Sequence, residues 1–206
     1  ISMSAPIKPE DIGRAKMVTT IAKGVKDAMS KAGISDPKDI HFVQTKTPLL
    51  TMESIGDATA RGETVFTHEP LESMAISNGT AALGIAVALG EISMPTPEQI
   101  GHDLGLYSSV ASCSSGVELE RGQIVVVGNA PGAGGRFRVG HSVMQDAIDS
   151  AAVYEAIRNA GVPLSDKPSA EELQGQIVQI FAKAEAHPAG LLRGYRQVML
   201  NDSDVH

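Results

Sequence analysis

Tryptophan is absent from the 206 residues, and the aromatics come to three Tyr and four Phe. The net charge is −7. Such a chain lacks both the basic footprint and the stacking platform that nucleic-acid binding needs. One cysteine, Cys113, excludes an internal disulfide and points to a reducing, cytoplasmic setting. No apolar run reaches the ~18 residues of a spanning helix, so no membrane partner is expected. The opening lacks a basic stretch followed by an apolar core, so no secretory signal is expected. Hydrophobic residues at 42% and charged residues at 20% exclude disorder and fibrous repeats.

The length suits one large domain, or one domain with an extension. The start at Ile1-Ser2-Met3 leaves two readings, an initiator at Met3 or a segment of something longer. The stretch from Asn201 to His206 reads as the opening of a helix.

Apolar residues at three- and four-residue spacings predict a first helix over Pro9–Ala32, stopped by Gly33. Asp39–Lys46 reads as a strand, ended by Thr47-Pro48. Further helices are predicted over Thr51–Arg61 and Glu69–Glu91, the second rich in small residues that suit close packing against a sheet. Tyr107–Ser114 and Gln123–Gly128 read as strands, the latter apolar enough for burial on both faces. After a glycine-rich loop, a strand is predicted over Phe137–Val143 and a helix over Gln145–Ala160. Ser165–Ser169 reads as a linker. A helix over Ala170–Ala186 follows, capped by Ser169 with Glu172, then a strand over Arg193–Leu200.

The sharpest chemical signal is Ala111-Ser112-Cys113-Ser114-Ser115-Gly116. A strand running into Ser-Ser-Gly can present a hydroxyl, with following N–H groups placed to bind an oxyanion. Alternation puts Ser112 and Ser114 on one face and Cys113 on the other, as a core residue. Serine-glycine clusters are also ordinary turns. Lys46 closes a strand, where it either snorkels to water or sits desolvated as a base. No spacing ties it to a serine.

Other matches carry less. Ser35-Asp36-Pro37-Lys38 fits S-x-x-K but lies in a turn. Gly128–Gly135 resembles a dinucleotide loop without its third glycine and reads as a hairpin loop. His141, Asp146 and Asp149, and likewise Asp202, Asp204 and His206, have ligand chemistry, but capping or a fraying end explains them more simply. His41 reads as a core histidine.

Longer motifs carry a resemblance. Pro9-Glu10-Asp11-Ile12-Gly13-Arg14 and the strand His41–Lys46 with Pro48-Leu49-Leu50-Thr51 are similar to the middle domain of the cyanuric acid hydrolase/barbiturase family. So are the runs Ala81–Glu91, Ala111–Leu119, His141–Asp149 and Met199–Asp204. The resemblance implies an α/β fold with about four strands and helices packed on one face. It would be one repeat unit of a pseudo-threefold, three-domain architecture, with a C-terminal helical extension. Residues 5–162 would form the repeat domain, and 163–206 a helical linker toward a next domain.

The function implied is ring-opening hydrolysis of a cyclic amide in a small planar ureide, such as cyanuric or barbituric acid. Matched position by position, the family's catalytic lysine falls on Lys46 and its serine pair on Ser114 and Ser115, with Ser114 as nucleophile. Ser115 and Gly116 line the substrate. The family's carbonyl-holding arginine falls on Asn78, which brings neither charge nor a two-pronged fork. Neither a metal nor an organic cofactor is implied at this site. Partners are expected to be copies in a trimer-like homo-oligomer or chains supplying the first and third domains. The competing readings are a non-catalytic scaffold subunit and a ureide-binding protein.

Overall fold

The computed structural model describes residues 1–184 and 190–196. Two compact units emerge, Ile1–Ala133 and Gly134–His206.

The first unit is built on a four-stranded sheet. Strand β1 spans Ser2–Pro6, helix α1 Ala15–Ala32 and strand β2 Ile40–Pro48. Helices α2 (Met52–Ala60) and α3 (Pro70–Leu89) lead to strands β3 (Ala111–Gly116) and β4 (Arg121–Gly128). The sheet order is β1-β4-β2-β3, with β2–β3 parallel and the other pairs antiparallel. Helix α1 packs on β1 and β4, and α3 packs on β3, β2 and α1. Strand alternation then divides the sheet. Val43, Thr45, Thr47, Cys113 and Ile124 are buried, while Phe42, Gln44, Lys46, Ser114, Val125 and Val127 are half-exposed. Strand β4 is thus buried on one face only, because no layer of this unit covers Gln123, Val125 and Val127 as α1 covers Ile124.

Helix α1 is shorter than its sequence period implies. Pro9–Asp11 forms one 3-10 turn, Ile12 is extended and Gly13 has φ 80°. A Cβ at Gly13 would lie 2.7 Å from Ile76 and 2.8 Å from Phe66, so this turn is both left-handed and tight. The expected C-terminal stop holds, since Gly33 at φ 68° returns its N–H to Met29 and Ser30. Thr51 caps α2 in a reciprocal pair with Ser54.

Small residues in α3 let the two helices meet. A Cβ at Gly84 would stand 2.8 Å from Ile21 Cβ and 2.9 Å from the Val18 carbonyl. The close approach at Gly84 is therefore to α1, not to the sheet. Strand β1 had no apolar signal because its inward residues are serines. Ser2 Oγ donates to the Gly24 carbonyl at 2.6 Å, and the Gly122 N–H donates to Ser4 Oγ at 2.8 Å. The strand expected from Tyr107 begins at Ala111 and runs on to Gly116. Before it, Ser109 is held by Glu91, whose carboxylate accepts from its N–H at 2.9 Å.

In the second unit, helix α4 spans Ser150–Asn159 and α5 only Ala170–Leu173. Leu191–Leu192 (β5) and Tyr195–Arg196 (β6) form a small hairpin. The helix expected from Gln145 starts later because Asp149 is the cap, accepting from the Ala152 N–H at 3.2 Å. The strand expected over Phe137–Val143 is irregular, with Phe137 exposed. Gly140 instead lies against the end of α4, where a Cβ would overlap the Ala160 nitrogen. Of the helix expected over Ala170–Ala186, only the turn Ala170–Leu173 forms among the described residues, and 185–186 lie outside them. Gly175 takes φ 73°, and Val178, Ile180 and Phe181 are exposed. The strand expected over Arg193–Leu200 is seen only as β6, and 197–200 lie outside the described residues.

Candidate active site

Parallel pairing of β2 with β3 sets Lys46 opposite Ser114 and Gln44 opposite Ser112. All four belong to the sheet face away from α1 and α3. Ser112 Oγ donates to Gln44 Oε1 at 3.0 Å, which ties the two strands together one pair before Lys46 and Ser114. The Ser114 hydroxyl donates to the Thr45 carbonyl at 3.2 Å. Lys46 Nζ donates to Glu118 Oε1 at 2.5 Å. The two candidate groups are therefore neighbours that engage different partners. The lysine's hydrogen bond, then Glu118's own backbone N–H, holds the Glu118 carboxyl below its ordinary value of 4.5.

Cys113 and Ser115 point the other way. Cys113 is buried in the core, and the Ser115 hydroxyl reaches the Met74 carbonyl of α3 at 3.5 Å. Helix α3 is pinned beside the ends of both strands. Ser77 Oγ shares a 2.8 Å hydrogen bond with Thr47 Oγ1 and donates to the Pro48 carbonyl at 2.7 Å. Asn78 follows on the same helix, half-buried. Its Oδ1 is buried without a hydrogen-bond partner among the described residues. A buried amide oxygen left unsatisfied costs about 1–3 kcal/mol.

Residues outside this face have structural work. Asp36 caps the 3-10 turn Pro37–Asp39, so Ser35–Lys38 is a turn. Asp146 is paired with Arg193 at 2.5 Å, and Asp149 caps α4. Asp202, Asp204 and His206 lie outside the described residues. Sequence reading gave Glu118 no role of its own. Glu118 lies in the turn beyond Gly116, the last residue of β3, and no spacing in the chain ties it to Lys46.

The amidohydrolase ring-opening protein family matches residues 1–206, so the chain belongs to that family. Barbiturase 1 of a Nocardioides species is 60% identical over 205 residues, covering 100% of this chain and 55% of that protein. A cyanuric acid amidohydrolase of Enterobacter cloacae is 50% identical over 200 residues, covering 96% of this chain and 54% of its own. A solved cyanuric acid hydrolase, described as an innovation by structural concatenation, superposes with TM-score 0.88 at 43% identity. It covers 99% of this chain and 55% of its own. The cyanuric acid hydrolase of A. caulinodans gives TM-score 0.83 at 39% identity, with 99% and 56% covered. The chain thus spans about half the length of the relatives it matches.

Proposed function

We propose that this chain is the catalytic segment of a ring-opening amidohydrolase acting on a small planar cyclic ureide, and that Ser114 and Lys46 are its nucleophile and base. The observation that carries this reading is their register pairing on the half-exposed face of the sheet. The family membership supports the reaction class.

In the proposed reaction, neutral Lys46 takes the proton of Ser114 Oγ as the oxygen attacks a ring carbonyl. Backbone N–H groups at Ser115 and Gly116 steady the oxyanion, and each such donor is worth about 10²–10³ in rate. Collapse breaks the ring C–N bond, and the Lys46 ammonium protonates the departing nitrogen. The ring is then open and bound to Ser114 as an acyl ester. Water, activated by the amine, hydrolyses the ester and restores the serine. Asn78 is proposed to donate a hydrogen bond from its side-chain amide to a ring carbonyl, the task the resemblance gives to an arginine.

One sheet face offers one wall of a site. We therefore place residues 5–162 as a repeat domain and 163–206 as the link to a further domain. Other copies or chains supply the opposing walls. Asn78 also favours a second reading, a ureide-binding or scaffold subunit without turnover. The deciding experiment measures ring-opening of barbituric and cyanuric acid by the complete assembly and by Ser114→Ala. Turnover that disappears in Ser114→Ala supports the enzyme. Binding of a ring with no turnover in the parent assembly supports the second reading.

A further inference from the structure

Lys46 has a partner to which the dyad chemistry gives no task. Its Nζ is ion-paired with Glu118, 72 residues away in the chain. Gly116 makes that contact possible. Ser112, Ser114 and Gly116 share one face of β3 by alternation. A Cβ at Gly116 would overlap Glu118 Oε2. The absent side chain leaves the seat into which the carboxylate folds back, one step beyond Ser114 on the same face. Gly116 has no left-handed φ, so what it supplies is clearance rather than a turn.

A base must begin unprotonated, whereas a neighbouring carboxylate favours the charged amine. Both side chains are open to water, at 42% for Lys46 and 56% for Glu118, which sustains the charged pair. We propose that Glu118 is the positioning residue and proton acceptor of Lys46, releasing it as a base when a ring covers this face. The role rests on the Ser114–Lys46 reading given above. On covering, one Nζ–H bond breaks and one Oε1–H bond forms. Two opposite charges vanish together, which loss of water favours. The neutral amine then serves Ser114 through both halves of the reaction. When product leaves and water returns, the carboxyl gives its proton back to Nζ, and the pair is charged again.

The test uses the complete protein. Glu118→Gln keeps the length and an oxygen for Nζ to donate to, but it cannot take the proton. It should lower kcat by about 10²-fold, the low end for a positioned proton-transfer group. KM should stay within about twofold, since the loss is confined to the reacting state. Glu118→Asp, shorter but ionisable, should recover part of kcat. An undiminished kcat in Glu118→Gln overturns the role, as does a loss carried by KM alone or an Asp variant no better than Gln. Ser114→Ala is assayed alongside. Full activity there sinks the dyad itself. Lost activity there, with parental kcat in Glu118→Gln, sinks only the role of Glu118.

Discussion

Lys46 and Ser114 stand opposite each other across two parallel strands, while Cys113, between Ser112 and Ser114, is turned into the core. One strand thus carries a candidate nucleophile and a packing thiol on opposite faces. Substitutions along it should separate cleanly. Ser114→Ala and Lys46→Ala should each remove nearly all ring-opening activity, and the double variant should lose little more, because the two act as a unit. Lys46→Arg should fail too, since a guanidinium stays protonated. Ser115→Ala keeps its backbone N–H and should be milder. Cys113→Ala should keep the rate and lose about 1 kcal/mol of stability. Steady-state ring-opening rates and melting curves on the five single variants and the double variant check this. A dead Cys113→Ala beside a live Ser114→Ala would exchange the two roles.

Asn78 sets the second expectation. A charged hydrogen bond contributes about 1.5–3 kcal/mol against about 0.5–1.5 for a neutral one. Asn78→Arg should therefore lower KM for a barbiturate- or cyanurate-like ring several-fold, and by up to about a hundredfold. Unchanged or weaker binding, read from KM or calorimetry, would show that the Asn78 amide serves another ligand or none.

Two glycines of α3 should respond in opposite senses. Gly84→Ala drives a methyl against Ile21 and the Val18 carbonyl, a backbone atom that cannot swing aside. Overpacking of this kind costs about 1–3 kcal/mol. Melting should fall by about 2–4 °C per kcal/mol. Gly79 has nothing within 4 Å of its would-be Cβ. Gly79→Ala should gain up to about 1 kcal/mol from helix propensity alone. Thermal melts of both variants compare the signs directly.

Acid stability should depend on Glu10. Arg61 grips its carboxylate with two nitrogens at 2.8 Å each, and the Glu10 side chain is 11% exposed. Chiefly through that hydrogen bond, its pKa drops from 4.5 to about 2. The folded carboxyl holds its proton less tightly than the unfolded one. Its stabilisation is therefore full above pH 4.5 and lost as pH falls toward about 2. Arg61→Gln should flatten the dependence of the melting temperature on pH across that window. An unaltered slope would place the acid sensitivity elsewhere.

The sequence was legible where side-chain period and burial coincide. Strand β2 showed itself through alternation ending at Lys46, and α1 through its apolar stripe. Its start did not, because an apolar Ile12 keeps the period while Gly13 turns the backbone away. Strand β1 was invisible because Ser2 and Ser4 bury hydroxyls that bond to backbone rather than apolar bulk. At the site, residue type picked out Lys46 and Ser114, but only family resemblance paired them. Strand register sets Lys46 opposite Ser114, and a turn beyond β3 brings Glu118 to Lys46; neither leaves a spacing in the chain.

Strand order carries a consequence for motion. Among the described residues β2 is hydrogen-bonded on both sides, by β4 and β3, whereas β3 pairs on one side, with β2. Opening free energies grade from edges toward fully paired strands. The backbone that carries the lysine should thus exchange its amide hydrogens only with global unfolding. The backbone that carries the serine should breathe on its own, so that any breakdown in the alignment of the pair begins from the side of Ser114.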